Sequence, residues 1–339
     1  MEPTRGDGES QRILIGLMGD VMLGRLVDEA IPSVGYVYPW GDLLDVLRST
    51  DLNVANLETT LTTSGEAMAK VFTFKAAPDR VQALREARID VCNLANNHSL
   101  DFGGAGLMET IEVLDSVGIE RVGAGGTPEE AAAPAVVERR GVSVGILGYT
   151  DNEPGWAAED GRPGTNVISV DDLARARADI EALRGRVDVL IVTIHWGPNM
   201  RLRPPPEFRR FAQAAIDAGA DVFHGHSAHV FQGIEARRRG LILYDTGDFV
   251  DDYAVDPRLR NDLSFLYLVQ ADRTGIKGLE LIPVRIANLQ VNRARGDDYR
   301  LAVDRIAGLS AEFGTEVVEA EPGLLRVSTP VGELGTGSR

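Results

Sequence analysis

The sequence predicts an α/β fold, and three observations carry that reading. Apolar runs of strand length alternate with segments of helical spacing along most of the 339 residues. All five histidines stand at or just beyond the ends of such runs, where open α/β sheets deliver ligand-binding side chains. An apolar fraction of 44% with 25% charged residues is that of a globular chain able to bury a sizeable core.

The elements follow in order. Residues 12–18 form a first buried strand that stops at Gly19 and Asp20, and residues 51–56 a second that ends at Leu57 and Glu58. Residues 78–88 carry Val81, Leu84 and Ala87 at helical spacing behind Pro78, which suits a first turn. A strand over 89–94 precedes a helix over 104–117, whose Leu107, Ile111 and Leu114 share one face. A strand over 142–147 leads to a helix over 171–183, with Asp171 as the expected cap. Residues 187–194 are the clearest buried strand, ending at His195; a helix over 206–219 and a short strand over 221–223, ending at His224, come next. Beyond Tyr244 the pattern changes to strands over 263–269 and 279–284 and a helix over 298–311. The strand over 279–284 is expected at an edge, because Pro283 cannot donate to a ladder.

Two loops, 62–78 and 152–167, exceed simple connectors and follow strand ends. The proline-bearing insert over 197–206 is either a stiff lid carrying Arg201 and Arg203 or a solvated connector.

A net charge of −16 argues against nucleic-acid binding. It leaves an anionic substrate open, because bound divalent cations reverse the local sign. Cys92 is the only cysteine; it excludes an intrachain disulfide and reads as a small buried hydrophobe in a reducing compartment. Residues 1–11 are polar, resembling neither a signal peptide nor a membrane anchor, and no run approaches the ~18 apolar residues of a spanning helix. A soluble, cytoplasmic protein without a membrane segment is expected.

Imidazole is the commonest nitrogen ligand, and strand ends fix its direction. Asp20 is a carboxylate at a strand end, although such a residue also caps helices, and Glu58 is a second. Asn97 can offer an amide oxygen, or else Asn96 and Asn97 form an ordinary turn. His98 beside it is placed to donate a proton. His226 and His229 flank a Ser-Ala pair in a loop, so both rings can reach one or two cations. His224 suits a supporting or substrate-facing role. Asp245 and Asp248 either orient the histidines or are surface loop carboxylates. Asp20, Glu58, Asn97, His195, His226 and His229 together suit one or two divalent ions of the Mn, Zn, Fe or Mg kind. Two ions would bring surplus positive charge for an anionic substrate, as in two-metal hydrolysis.

The motifs Gly19-Asp20-Val21-Met22-Leu23-Gly24-Arg25, Asn56-Leu57-Glu58, Leu94 to Asp101, His195-Trp196-Gly197, Gly225 to Val230 and Gly247-Asp248-Phe249 resemble, in order and spacing, those of the bacterial CapA family. These poly-γ-glutamate capsule synthesis proteins are similar to calcineurin-like metallophosphoesterases. The resemblance runs from about residue 13 to 286. It implies a four-layer αββα sandwich of two mixed sheets with the site at the strand ends, here a single domain over 12–330 between disordered tails 1–11 and 331–339. It implies Asp20 as a metal ligand, Glu58 as the bridging carboxylate, Asn97 as the metal-binding amide and His98 as general acid. His195, His226 and His229 resemble the remaining ligands, Asp248 a supporting group, and Arg25, Lys75, Trp196 and His224 the substrate-binding set.

Three departures stand out. Met22 replaces the histidine that metallophosphoesterases carry two residues after the first Asp. Asp248 stands where relatives carry Asn. The membrane anchor usual in capsule proteins has no counterpart in the sequence. The expected function is a soluble metal-dependent hydrolase of a phosphoester or γ-glutamyl amide bond, acting on an anionic small molecule or γ-glutamyl peptide. The alternative is a non-hydrolytic protein of polymer or peptide biosynthesis, amide-forming or accessory, with a structural or weakly bound metal.

Overall fold

A computed structural model describes residues 11–238 and 240–328. The expected disordered tails lie outside the described residues, Gln11 excepted. Strand Ile13–Val21 is the centre of a ten-stranded mixed sheet. On one side it runs parallel to Leu52–Leu57, followed by Val91–Asn93 and Glu120–Val122. On the other it pairs antiparallel with Leu263–Asp272, followed by Gly275–Ala287, Leu324–Val327 and Val317–Glu321. A second, six-stranded mixed sheet runs Ile234–Arg237, Gly240–Leu243, Val222–His226, Val189–His195, Val142–Thr150, Ala135–Arg139.

Three apolar cores separate four layers. Ile15, Leu17 and Val54 of the large sheet meet Ile146, Ile191 and Val222 of the small one between the sheets. Met18, Ala55 and Cys92 pack outward against helices through Val27, Leu84 and Leu107. Leu147, Val192 and Phe223 do the same on the far side against Ile180 and Phe211. Adjacent residues of one strand thus enter different cores, as the two-residue side-chain period requires. That is why the strands read as unbroken apolar runs: both faces are covered. The αββα sandwich is as expected, and among the described residues no helix is long and apolar enough to cross a membrane.

Several boundaries move. The first strand continues through Gly19 and Asp20 to Val21, and His195 and His226 lie inside their strands. Asp172, not Asp171, caps helix Leu173–Arg184, accepting the Arg175 N–H at 3.4 Å. Gly275–Ala287 is not an edge strand, being flanked on both sides. Its other-side partners cover 279–281 and 284–287, leaving a gap at Pro283. The Pro283 carbonyl accepts from Ala294 N at 2.8 Å. In extended backbone N–H and C=O of one residue point the same way, so the missing N–H falls on that gap side and the pairing with Phe265 loses nothing. Helix Arg25–Val34 escaped the sequence reading because Pro32 interrupts it.

Gly19 is where the strand has no room for a side chain. A Cβ there would stand 1.8 Å from the Gly247 carbonyl oxygen, the atom that accepts the Asp20 N–H at 3.0 Å. Gly19→Ala should therefore destabilise the protein by at least about 2 kcal/mol through overpacking, read as a lower urea midpoint; an unchanged midpoint would contradict this packing.

Candidate metal centre

Register brings the polar residues together. In the small sheet His195 stands opposite His226; in the large sheet Asp20 stands opposite both Asn56 and Asp248. Asp20 is 1% exposed. Its Oδ1 lies 3.5 Å from His195 Nδ1 and 3.5 Å from His226 Nδ1 and accepts from Asn56 Nδ2 at 2.7 Å. Its Oδ2 lies 3.5 Å from His229 Nδ1. Two sets of donors, each with atoms within 4.8 Å of one another, result: Asp20, His195 and His226, and Asp20, Glu58, His229 and Asp248. Asp20 is common to both, where the resemblance implied Glu58 as the shared carboxylate. Glu58 Oε1 sits 3.9 Å from His195 Nε2 and 3.7 Å from His98 Nε2.

The loop after Val222–His226 holds Ser227 at φ 115° and His229 at φ 58°, conformations that non-glycine residues adopt only when surroundings enforce them. Asp245 does so, accepting from Ala228 N and Gly247 N at 2.8 Å each. It therefore shapes backbone, and is neither a hydrogen-bond partner of a histidine nor a surface carboxylate, the two roles the sequence left open. Asp248 does orient one, its Oδ1 lying 2.8 Å from His229 Nδ1. Met22 contributes nothing to the cluster; its buried sulfur accepts from Gly24 N at 3.1 Å.

The electrostatics of the cluster are those of excess acid. Burial, then the Asp20 charge, pushes the Glu58 carboxyl well above its usual range. Burial likewise raises Asp248, to about 6, against the pull of His229. Burial also opposes ionising Asp20, yet His195, His226 and His229 outweigh it and hold its carboxyl below the usual range. Burial keeps His226 neutral, while His229, though buried, is raised by Asp248, Glu58 and Asp20. Half of the buried side-chain polar atoms that lack a partner among the described residues belong here: Asp20 Oδ2, Glu58 Oε1, Asn97 Oδ1, His195 Nε2 and Asp248 Oδ2. Buried polar atoms are normally paired. This mixed carboxylate, amide and imidazole set fits a divalent cation.

His98 stands beside the cluster. Its Nδ1 lies 2.6 Å from Asp101 Oδ2, and its ring stacks on Phe74 at 3.9 Å. Burial lowers its pKa to about 4 although Asp101 opposes, so the ring is neutral near pH 7. With Nδ1–H donated to Asp101, Nε2 is a proton acceptor at rest.

A cavity of about 670 Å³ opens over the cluster, with Arg25, Asn97, His98, His229 and Tyr253 in its wall. Arg25 is there as expected, its Nε 3.2 Å from Asp252. Lys75 is not: its ammonium donates to Ser64 O at 2.8 Å and lies over the Phe102 ring. Lys70 takes that place, 2.8 Å from Asp101 Oδ1. Trp196 faces away, because it follows inward-facing His195 and alternation sends it to the helix side. There it packs on Phe208 and Phe223 and donates to Tyr244 O at 2.9 Å. His224 is also withdrawn from substrate. It shares the His226 face one pair deeper, between Thr193 Oγ1 at 3.1 Å and Thr246 Oγ1 at 3.3 Å, and is fully buried. Of the insert over 197–206, Asn199 and Met200 line the cavity, while Arg203 pairs with Glu312. The sequence reading missed Asp101, Tyr253 (whose hydroxyl donates to Glu58 Oε2 at 3.2 Å) and Asn56. Asn56 and Asp101 lay inside quoted motifs; Tyr253 carries no motif signal.

Two facing mixed sheets that gather carboxylates and imidazoles at their strand ends define a class of αββα proteins with a candidate metal centre. The chain belongs to the family described as bacterial capsule synthesis protein PGA_cap, whose pattern matches residues 14–253. It is 36% identical over 373 residues to a Mycobacterium tuberculosis protein named "Probable polyglutamine synthesis accessory protein", covering 95% of this chain and 97% of that one. It is 29% identical to the Bacillus anthracis "Capsule biosynthesis protein CapA", covering 82% of this chain and 68% of the other. Among solved structures, the 5'-nucleotidase precursor of Thermus thermophilus aligns at a TM-score of 0.48 and 13% identity, over 89% of this chain and 59% of that one.

Burial lowers the His224 pKa to about 4, over the opposing pull of Asp20. The unfolded chain, with a histidine pKa near 6.5, then binds the proton more readily than the fold does. His224 thus contributes stability that is complete above about pH 6.5 and is lost as pH falls towards 4. Between pH 7 and pH 5 the metal-free wild type should lose on the order of 1–2 kcal/mol more than His224→Gln, measured by urea unfolding; identical pH slopes would remove His224 from this account.

Proposed function

We propose that the chain is a metal-dependent hydrolase of a phosphoester or γ-glutamyl amide bond, working as one domain over 12–330 in a reducing, cytoplasmic compartment. The single observation that carries this reading is the set of five buried donors without a partner among the described residues, beside a His98–Asp101 pair. Asp20, His195 and His226 would hold one divalent ion, and Asp20, Glu58, His229 and Asp248 a second, with the Asn97 amide oxygen as a further ligand. Manganese, zinc, iron and magnesium all suit such donors. When bound, the ions would polarise the scissile group and lower the pKa of water.

The chain's own groups do the rest. Arg25 and Lys70, on the cavity wall, hold the anionic end of the substrate. His98 Nε2 takes a proton when that anion raises its basicity and passes it to the leaving oxygen or nitrogen. Asp101 keeps the ring turned for that transfer. Asp248 brings a carboxylate where Met22 brings no ligand. A second reading, an accessory protein of polymer assembly with a structural metal, is favoured by the name of the Mycobacterium tuberculosis relative.

Metal analysis and a screen of phosphodiester and γ-glutamyl substrates separate the two. Asp20→Asn and His226→Ala should each lower metal content by at least about tenfold in affinity. His98→Ala should retain metal and lose about 100-fold or more in turnover. Unchanged stoichiometry in both ligand variants would count against the assignment, and a metal-loaded protein inert on both substrate classes would favour the accessory reading.

A further inference from the structure

Beyond the group held at the metal centre the cavity wall turns apolar, in a segment that is pinned. Val71 and Phe72 are 89% and 61% exposed and both line the cavity. Large apolar side chains held in water mark a binding surface when they adjoin a site. A loose loop could tuck such residues away, but this one is tied on both sides to Asp101. Met68 N donates to the Asp101 carbonyl at 2.7 Å, Lys70 Nζ to its Oδ1 at 2.8 Å and Phe74 N to its Oδ2 at 2.7 Å. Lys70 lies 4.6 Å over the Trp156 ring, and Phe74 is stacked on His98. The apolar pair is therefore presented at the mouth by the same carboxylate that orients His98.

The charges on this wall suit one anionic group and no more. Arg25 is already paired with Asp252 and Lys70 with Asp101, and Glu153 adds a negative charge. Among the described residues that line the wall, no lysine or arginine beyond these two is present to meet successive anionic units of a long polyanion.

We propose that the substrate carries a hydrophobic arm, aryl or branched alkyl, beside the one anionic or carbonyl group that is cleaved, and that Val71 and Phe72 bind this arm. The inference rests on the proposed hydrolase site and narrows its substrate to hydrophobically substituted phosphoesters or amides.

The test titrates the manganese-loaded full chain with phenylphosphonate and with methylphosphonate by calorimetry. A phosphonate resists hydrolysis and mimics both a phosphoester and the tetrahedral stage of amide cleavage. Phenylphosphonate should bind about tenfold more tightly, the worth of one aromatic contact. In Phe72→Ser that preference should fall to near parity, with methylphosphonate binding unchanged. Equal affinities in the wild type, a preference that survives in the Val71→Ser/Phe72→Ser double variant, or tighter binding of a poly-γ-glutamate oligomer would each overturn the inference. Manganese uptake without a phenyl preference overturns this inference alone; failure to take up any of manganese, zinc, iron and magnesium overturns the hydrolase reading and this inference with it.

Discussion

The structure depends on placing one carboxylate, Asp20, out of water at the seam between two sheets. Isolated buried carboxylates are strongly disfavoured unless paired, so its neighbours are constrained in turn. Three imidazoles within 3.5 Å and the Asn56 amide answer that need. Their positions follow from the inter-sheet core, whose interlocked aliphatic side chains set how far the small sheet stands from the large one. Gly19 completes the arrangement, since only a residue without Cβ lets the Gly247 carbonyl reach the Asp20 N–H. The candidate metal cluster is thus a property of sheet spacing and register, not of one loop.

Three imidazoles do not neutralise the whole cluster. Glu58 and Asp248, with Asp245 in the adjoining loop, are all pushed upward, with burial the leading cause in each. A divalent cation beside such acids would favour their ionised form and reverse that balance. His98 stands on a different footing. Its partner is Asp101 rather than Asp20, and Asp101 is shared with Lys70 and the Phe74 backbone. The cluster around Asp20 and the His98 ring are therefore held by separate carboxylates, so a variant at one can leave the other intact.

What the sequence disclosed tracks what periodicity can encode. Buried strands were legible because both faces are covered, and the histidine motifs because they sit at the ends of those strands. The same two-residue alternation, applied one position further, would have turned Trp196 away from the site and set His224 behind His226. The edge position expected for Pro283 failed for a subtler reason: the partner on one side is two short strands with a gap between them. Asp171 and Asp172 are equivalent as letters, and only the local backbone chooses the cap. The cavity wall was least legible. Lys70 and Lys75 lie in one aperiodic loop, and which of them faces Asp101 is decided by long-range hydrogen bonds that no local pattern records.

That wall also shows where the fold holds its strain. Arg25, Glu153, Met200 and His229 come from four separate segments, and all four are non-glycine residues at positive φ that line the cavity. Each such conformation costs on the order of 1 kcal/mol and persists only where its surroundings dictate it. The three apolar cores supply that excess of stability away from the cavity. Sheets fix the candidate metal ligands, and strained loop residues shape the wall, so the cluster and the cavity wall are built by different parts of the chain.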